Sequence, residues 1–288
     1  MIYGIQHVAK YLLGKDLAGR NFLVYPDDTM VVSYPRSGNT WTRFLIANLL
    51  HPETEANFLN VEVMVPDTTT ISSRALKRTP RPRVIKTHEY FDHRYPRVVY
   101  IVRDPRDVVL SCYNFQRKYR QIDDAYPLDN YVEDFLAGRS TERAWGTWGE
   151  NVASWISTRG GDSSFLLVRF EDMLQNTTEE LKRVGDFLGV PTTPAILEQS
   201  VTRSSADRMR EIEKQQQDQW VGSRTHRKDI PFVGSARSGG WKAQLPESGV
   251  RRIEAAWGNL MTSVGYDLAA KSLDRTGSQV QMLTSATR

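Results

Sequence analysis

Residues 34–41 read Tyr-Pro-Arg-Ser-Gly-Asn-Thr-Trp, one fixed cation and a set of neutral donors around a single glycine. Arg36 brings a guanidinium that stays charged, and Ser37, Asn39 and Thr40 bring hydroxyl and amide donors. The apolar run Met30-Val31-Val32-Ser33 leads in, and a helical pattern, Thr42 to Leu50, leads out. A strand, a turn at Gly38 and a helix aim backbone N–H groups and the positive end of the helix dipole at one point, which makes an anion cradle. The competing reading is an ordinary strand–turn–helix connection, but such turns rarely pack Arg, Ser, Gly, Asn and Thr together. The nucleotide P-loop does not fit. Gly-x-x-x-x-Gly-Lys-Ser/Thr occurs nowhere in the chain, so the magnesium-binding hydroxyl of that motif is missing and ATP or GTP is a poor first candidate.

The octapeptide resembles the 5′-phosphosulfate loop of the sulfotransferases, enzymes that move a sulfuryl group from 3′-phosphoadenosine 5′-phosphosulfate to an acceptor hydroxyl or amine. The usual cytosolic version has Lys where this chain has Arg36. The resemblance runs from about residue 25 to about residue 270 and rests on four motifs of unequal quality. In the second, Ile85-Lys86-Thr87-His88, it places the catalytic base on His88 and a sulfate-contacting cation on Lys86. The chemistry needs such a pair. A hydroxyl is a weak nucleophile until a neutral imidazole takes its proton, and a cation can balance charge on the transferring group. Taken alone, the pair would read as surface residues; the cradle upstream favours the functional reading. His88 and His93 are five apart, so the helical zinc signature, which needs four, is not met.

The third motif spans Val98 to Ser111. Residues 98–102 form a β-branched and aromatic run expected as a buried parallel strand. Asp104 suits a helix cap and Pro105 the first helical position. Arg103 therefore stands at the carboxyl end of a strand, where open α/β sheets put ligand contacts. The resemblance assigns Arg103 and Ser111 to the donor's 3′-phosphate, and a guanidinium fork suits phosphate oxygens. Arg106 and Asp107 are read as exposed first-turn charges.

The fourth motif, Phe232 to Lys242, keeps Gly239, Trp241 and Lys242 of the family's Arg-Lys-Gly-x-x-Gly-Asp-Trp-Lys. The Arg-Lys-Gly triplet falls on Gly234-Ser235-Ala236, so both charges are missing, and Arg237 one residue later is the candidate replacement. Arg237, Ser238 and Gly239 are carried forward as donor-binding candidates, against the alternative of a plain Gly/Ser loop over the core. At the adenine end, Phe170 stands where relatives often have Tyr, and Ser204 and Ala206 where they have Thr-Ser-Phe. Trp41 is then expected to stack on the base, with core packing as the rival reading for each aromatic.

A sulfuryl group carries less negative charge than a phosphoryl group, so side-chain cations can do what magnesium does in kinases. The expected reaction is in-line transfer. His88 acts as base, Arg36 and Lys86 balance charge, Asn39 and Thr40 donate hydrogen bonds, and neither a metal nor a covalent intermediate is needed. Two alternatives stay open, a P-loop-type phosphotransferase and a non-catalytic phosphonucleotide-binding protein. The first should need magnesium; the second would have no use for His88.

These residues must be positioned by a scaffold, and the alternation of short strands and helices predicts one. Strands are expected near 30–34, 83–87, 97–102 and 164–169, and helices near 40–50, 105–118, 143–157, 177–188, 193–200 and 204–217. The fold class is α/β: a single domain with a central parallel sheet flanked by helices, the P-loop-NTPase-like sulfotransferase fold that the resemblance implies. Residues 1–24 are read as an amphipathic lead-in with a short helix at 5–13, residues 25–271 as the catalytic domain and 272–288 as a loose tail. Asn176 is expected to cap the 177–188 helix and Gly189 to stop it. Trp145, Trp148 and Trp155 share a helical face, read as core. Residues 52–80 and 114–142 look irregular and are candidates for an acceptor-site rim.

The 288 residues carry a net charge of +4, which suits an anionic donor and is too small and too scattered to require nucleic acid or a membrane. The single cysteine, Cys112, excludes an internal disulfide and is read as an inert packed thiol. No stretch approaches the length of a membrane span and no amino-terminal anchor is evident, so a cytoplasmic enzyme acting on a small-molecule or carbohydrate acceptor, either monomer or homodimer, is expected.

Overall fold

The computed structural model describes residues 16–220, 226–234 and 236–269. The helix expected at 5–13, the tail at 272–288 and Ser235 lie outside the described residues. Four strands, β1 (Thr29–Ser33), β2 (Val84–Thr87), β3 (Arg97–Val102) and β4 (Phe165–Arg169), form one sheet in the order β2-β1-β3-β4. All three pairings are parallel, with Met30 opposite Ile85 and Val98, and Tyr100 opposite Leu167. From β1 the chain crosses to β2 on one side and then to β3 on the other. The carboxyl ends of β1 and β3 therefore flank a switch point, where two neighbouring loops diverge and leave a crevice.

The helices are α1 (Asn39–Leu50), α2 (Val61–Met64), α3 (Ser73–Arg78), α4 (Pro105–Lys118), α5 (Leu128–Leu136), α6 (Trp148–Arg159), α7 (Phe170–Gln175), α8 (Thr177–Leu188), α9 (Pro194–Arg203), α10 (Ala206–Gln216), α11 (Trp241–Gln244) and α12 (Glu247–Ser263). They cover both faces of the sheet, which is why β1 is buried at every residue. The strand period of two splits the core. Met30, Val32, Val98, Tyr100 and Val102 pack with Val109, Trp148, Trp155 and Ile253 on one face. Val31, Val99 and Ile101 pack with Phe44, Leu45, Leu181 and Val184 on the other.

Local signals account for several boundaries. Asp104 caps α4 by accepting from the Arg106 N–H at 2.9 Å, and Pro105 occupies the first turn, as expected. Gly189 stops α8 with φ of 75°, but Asn176 makes no side-chain cap there; its backbone is shared with the end of α7, which leaves it no ordinary cap geometry. The helix expected at 143–157 is divided. Arg143–Trp145 is a 3-10 turn, Gly146 has φ of 63°, and α6 begins anew behind a Thr147–Glu150 capping box. Trp148 and Trp155 are core, whereas the divided helix turns Trp145 out of that face. The two stretches read as irregular hold the short helices α2 and α3 and the nine-residue α5, which buries Tyr131, Val132 and Phe135. Cys112 is fully packed and burial pushes its thiol up to about 12, as an inert thiol requires.

Candidate active site at the switch point

β1 ends at Ser33, and the octapeptide turns over its end into α1. Arg36 has φ of 66° and Gly38 φ of 92°. A Cβ at Gly38 would lie 2.2 Å from the Phe170 ring, so glycine is required for the turn and for the approach of that ring. The first intrahelical bond runs from the Thr42 N–H to the Gly38 carbonyl, which leaves the preceding amides at the mouth of α1 free of helical acceptors. Among the described residues, Ser37 Oγ, Asn39 Oδ1 and Arg103 Nε are buried without a hydrogen-bond partner. Polar atoms buried in this way, converging on one helix start, mark a place built for a polar ligand. Thr40 and Trp41 follow in the first turn of α1, both half-buried.

Ser33 is a hub the sequence did not disclose. Its carbonyl lies 2.8 Å from His88 Nδ1, and its hydroxyl accepts from Asn39 Nδ2 at 3.0 Å. One residue at the end of the central strand thus ties the imidazole to the cradle. With Nδ1 donating to Ser33, Nε2 is the basic nitrogen. Burial first, then Lys86, push the His88 pKa down to about 3, so the ring is neutral at neutral pH. Asn151 fixes the backbone here. Its amide donates to the His88 carbonyl at 3.1 Å and the Trp145 carbonyl at 3.2 Å, and its oxygen accepts from Tyr100 at 2.8 Å. The Trp145 ring lies edge-on to His88 with centroids 5.1 Å apart, so this tryptophan, expected in the core, walls the base instead.

Lys86 lies in β2 and His88 follows one residue beyond its end, near enough for the Lys86 charge to act on the imidazole. Lys86 is buried, and burial lowers its pKa against the opposing pull of Asp67, whose Oδ2 lies 2.8 Å from Nζ. Asp67 lies in a stretch read as irregular and no motif flagged it; a Pro-Asp-Thr-Thr run signals only a turn.

At the end of β3, Arg103 joins two segments. One terminal nitrogen donates to the Arg36 carbonyl at 3.3 Å and the other to the Arg237 carbonyl at 3.2 Å, while the guanidinium lies 4.4 Å from the Phe170 ring centre. Arg36 Nε donates to Ser111 Oγ at 3.2 Å, and its guanidinium faces the rings of Phe115 and Phe232. Arg36, Arg103 and Ser111 are therefore one hydrogen-bonded cluster. Phe170 is buried, with Trp41 edge-on to it at 5.9 Å. The Trp41 indole donates to the Ser204 carbonyl at 2.9 Å. The Ser204 hydroxyl is fully buried and accepts from Asn48, so Ser204 supports Trp41 from behind and does not face the crevice.

The expectation of exposed charges at Arg106 and Asp107 is overturned. Both are buried. Arg106 is held by Asp104, Glu254 and the Asp267 carbonyl. Asp107 accepts from the Gly239 N–H at 2.6 Å and the Trp241 N–H at 3.0 Å. A first helical turn is exposed only when nothing crosses it, and here the fourth motif crosses it. Arg237 and Ser238 are exposed. Gly239, with φ of 77°, has its amide committed to Asp107.

The structure thus holds an anion cradle at the switch point of a parallel α/β sheet, with a neutral histidine beside it and an arginine–serine cluster adjoining it. The sulfotransferase domain model matches residues 26–265, and the chain belongs to that family. It is 25% identical over 264 residues to mouse sulfotransferase 1A1, covering 86% of this chain and 89% of that protein. It is 27% identical over 237 residues to rat sulfotransferase 2B1, covering 78% and 68%. Among solved structures it resembles a mouse sulfotransferase complexed with PAP, with a TM-score of 0.64 at 21% identity over 84% of this chain and 86% of that one. It also resembles a retinol dehydratase in complex with androsterone and PAP, with a TM-score of 0.67 at 19% identity over 91% and 88%. These structural likenesses show the fold. Among the described residues no helix is long and apolar enough to cross a membrane.

Proposed function

We propose that the chain transfers a sulfuryl group from 3′-phosphoadenosine 5′-phosphosulfate to an acceptor hydroxyl, with His88 as general base. The observation that carries this reading is the Ser33 junction, where one residue binds both the imidazole and the cradle side chain Asn39. The residues present fit the donor. Ser37, Gly38, Asn39, Thr40 and the α1 amides suit its 5′ end, Arg103 and Ser111 its 3′-phosphate, and Trp41 and Phe170 its base. The family membership and the PAP bound in the two structural relatives support this choice of donor.

His88 Nε2 takes the acceptor proton as the acceptor oxygen approaches sulfur in line with the departing phosphate. Arg36 and Lys86 balance the charge that develops on the bridging and sulfuryl oxygens. Neutrality of His88 is a condition of that role, and burial secures it. The acceptor is a small molecule or carbohydrate.

The test is labelled-donor transfer to a panel of phenol, alcohol and sugar acceptors, with and without EDTA. Transfer that survives chelation is expected. For His88→Ala, turnover should fall by about two to four orders of magnitude while PAP binding stays near wild type. A rate undiminished by the substitution removes His88 from the chemistry. The His88 shift also sets a pH dependence. Its folded pKa lies below the unfolded value, so its contribution to stability is complete above about pH 6.5 and declines as pH falls towards the folded value of about 3. Wild type should lose more stability over that acid interval than His88→Ala, read by urea denaturation.

A further inference from the structure

Lys86 is buried beside a buried carboxylate, and the local backbone holds the two together. The Lys86 N–H donates to the Pro66 carbonyl at 2.8 Å, the Thr68 N–H donates to the Lys86 carbonyl at 3.0 Å, and Asp67 and Lys86 form an isolated parallel bridge. Residues 66–68 thus run as one more strand-like rung along β2. The Asp67 carboxylate is itself oriented: Oδ1 accepts from the Thr69 N–H at 2.8 Å and the Thr69 hydroxyl at 2.7 Å, leaving Oδ2 for Nζ at 2.8 Å. Arg43 of α1, itself buried, pins the preceding turn through the carbonyls of Val61 and Val65 and through Glu62. This assembly is more than a packed loop needs, because it presents one oriented oxygen to one buried ammonium.

We propose that Asp67 is a positioning residue for sulfuryl transfer, keeping Lys86 protonated and aimed along the end of β2 beside His88. The proposal rests on the functional reading above. An ammonium buried without a counter-charge loses its proton readily, and a carboxylate at hydrogen-bond distance opposes that loss. The charged groups facing the pair are Arg43 from α1, Glu62 from α2 and His88 from the end of β2. Arg43 disfavours the ammonium, Glu62 is a weaker influence than Asp67, and His88 is neutral, so Asp67 is the principal group holding the charge on Lys86.

The experiment compares wild type with Asp67→Asn, which keeps the shape and removes the charge, and with Asp67→Glu. The first readout needs no turnover. The Cε resonance of Lys86 in 13C-lysine-labelled full-length chain, assigned by its loss in Lys86→Arg, should titrate about 1–3 pH units lower in Asp67→Asn. The second readout is the alkaline limb of the kcat profile with labelled donor, which should move down by the same interval, with kcat recovering towards wild type as pH is lowered. Asp67→Glu should restore part of the shift. Calorimetry should show that Asp67→Asn still binds PAP, which lacks the sulfuryl group; this also shows that the variant is folded. An unmoved Lys86 titration in folded Asp67→Asn overturns the proposal whether or not the wild type transfers sulfuryl. An absence of transfer by wild type, with the Lys86 titration shifted as expected, instead overturns the functional reading and leaves the charge pairing standing. A kcat that falls equally at every pH would mark Asp67 as merely structural.

Discussion

The 34–41 loop and the 232–242 segment meet on the same arginine, one on each terminal nitrogen of Arg103, yet they are held in opposite ways. The loop is covalently continuous between the central strand and α1, its turn dictated by Gly38 and closed by the Phe170 ring. Ser37 and Asn39 of the loop are buried, and among the described residues Ser37 Oγ, Asn39 Oδ1 and the adjoining Arg103 Nε have no hydrogen-bond partner. The segment is exposed at Ala236, Arg237 and Ser238 and is fastened by others: Asp107 on Gly239 and Trp241, Glu213 on the amides of Phe232 and Val233, and Arg210 on the Gly234 carbonyl. A loop whose shape is set by its own backbone can present side chains in fixed directions. A segment clamped through its amides and carbonyls is located as a strap, and its side chains are left free to vary. That difference explains how the second segment can lose the Arg-Lys pair of its relatives while the first keeps nearly every residue of its pattern.

The sharpest way to break the comparison is Gly38→Ala. The methyl group meets the Phe170 ring and the backbone must keep a left-handed conformation, so a loss of about 2–5 kcal/mol in unfolding free energy is expected. Chemical denaturation measures it. A loss under about 0.5 kcal/mol would show that the turn is not rigidly specified. Next is Arg103→Ala, which removes the group shared by both segments. PAP should bind wild type more tightly than 5′-AMP by about 2–4 kcal/mol, and the substitution should erase most of that preference by calorimetry. Equal affinity of wild type for the two nucleotides would remove the 3′-phosphate from Arg103. The smallest effects belong to the strap and should be ordered. Asp107→Asn weakens two amide bonds to a charge and should cost about 1–2 kcal/mol of PAP affinity, whereas Arg237→Ala alters an exposed side chain and should cost less than about 1 kcal/mol. The reverse order would mean that Arg237 replaces the missing cations directly.

The sequence by itself determined the four strands, their parallel pairing and the turn at Gly38, because these depend on contiguous signals, whereas the strand order came from the fold. The apolar runs Met30–Val32 and Val98–Val102 are buried, and Gly38 and Asp104-Pro105 signal a turn and a helix start locally. It also singled out Lys86 and His88 as a pair at the end of a short strand, because the Ile85-Lys86-Thr87-His88 motif is contiguous. What only the tertiary structure decided is who faces these residues. Asp67 meets Lys86 because the 66–68 backbone runs along β2, Asp107 is buried because residues 239–241 cross the first turn of α4, and Trp145 leaves the core because Gly146 divides its helix. Ser33 binds His88 because β1 and β2 lie side by side in register. All but the Trp145 break are pairings across long sequence separation, made by packing free energy that no local pattern encodes. Charged residues in short polar stretches read alike whether water or a backbone amide will be their partner, and only the packed chain distinguishes the two.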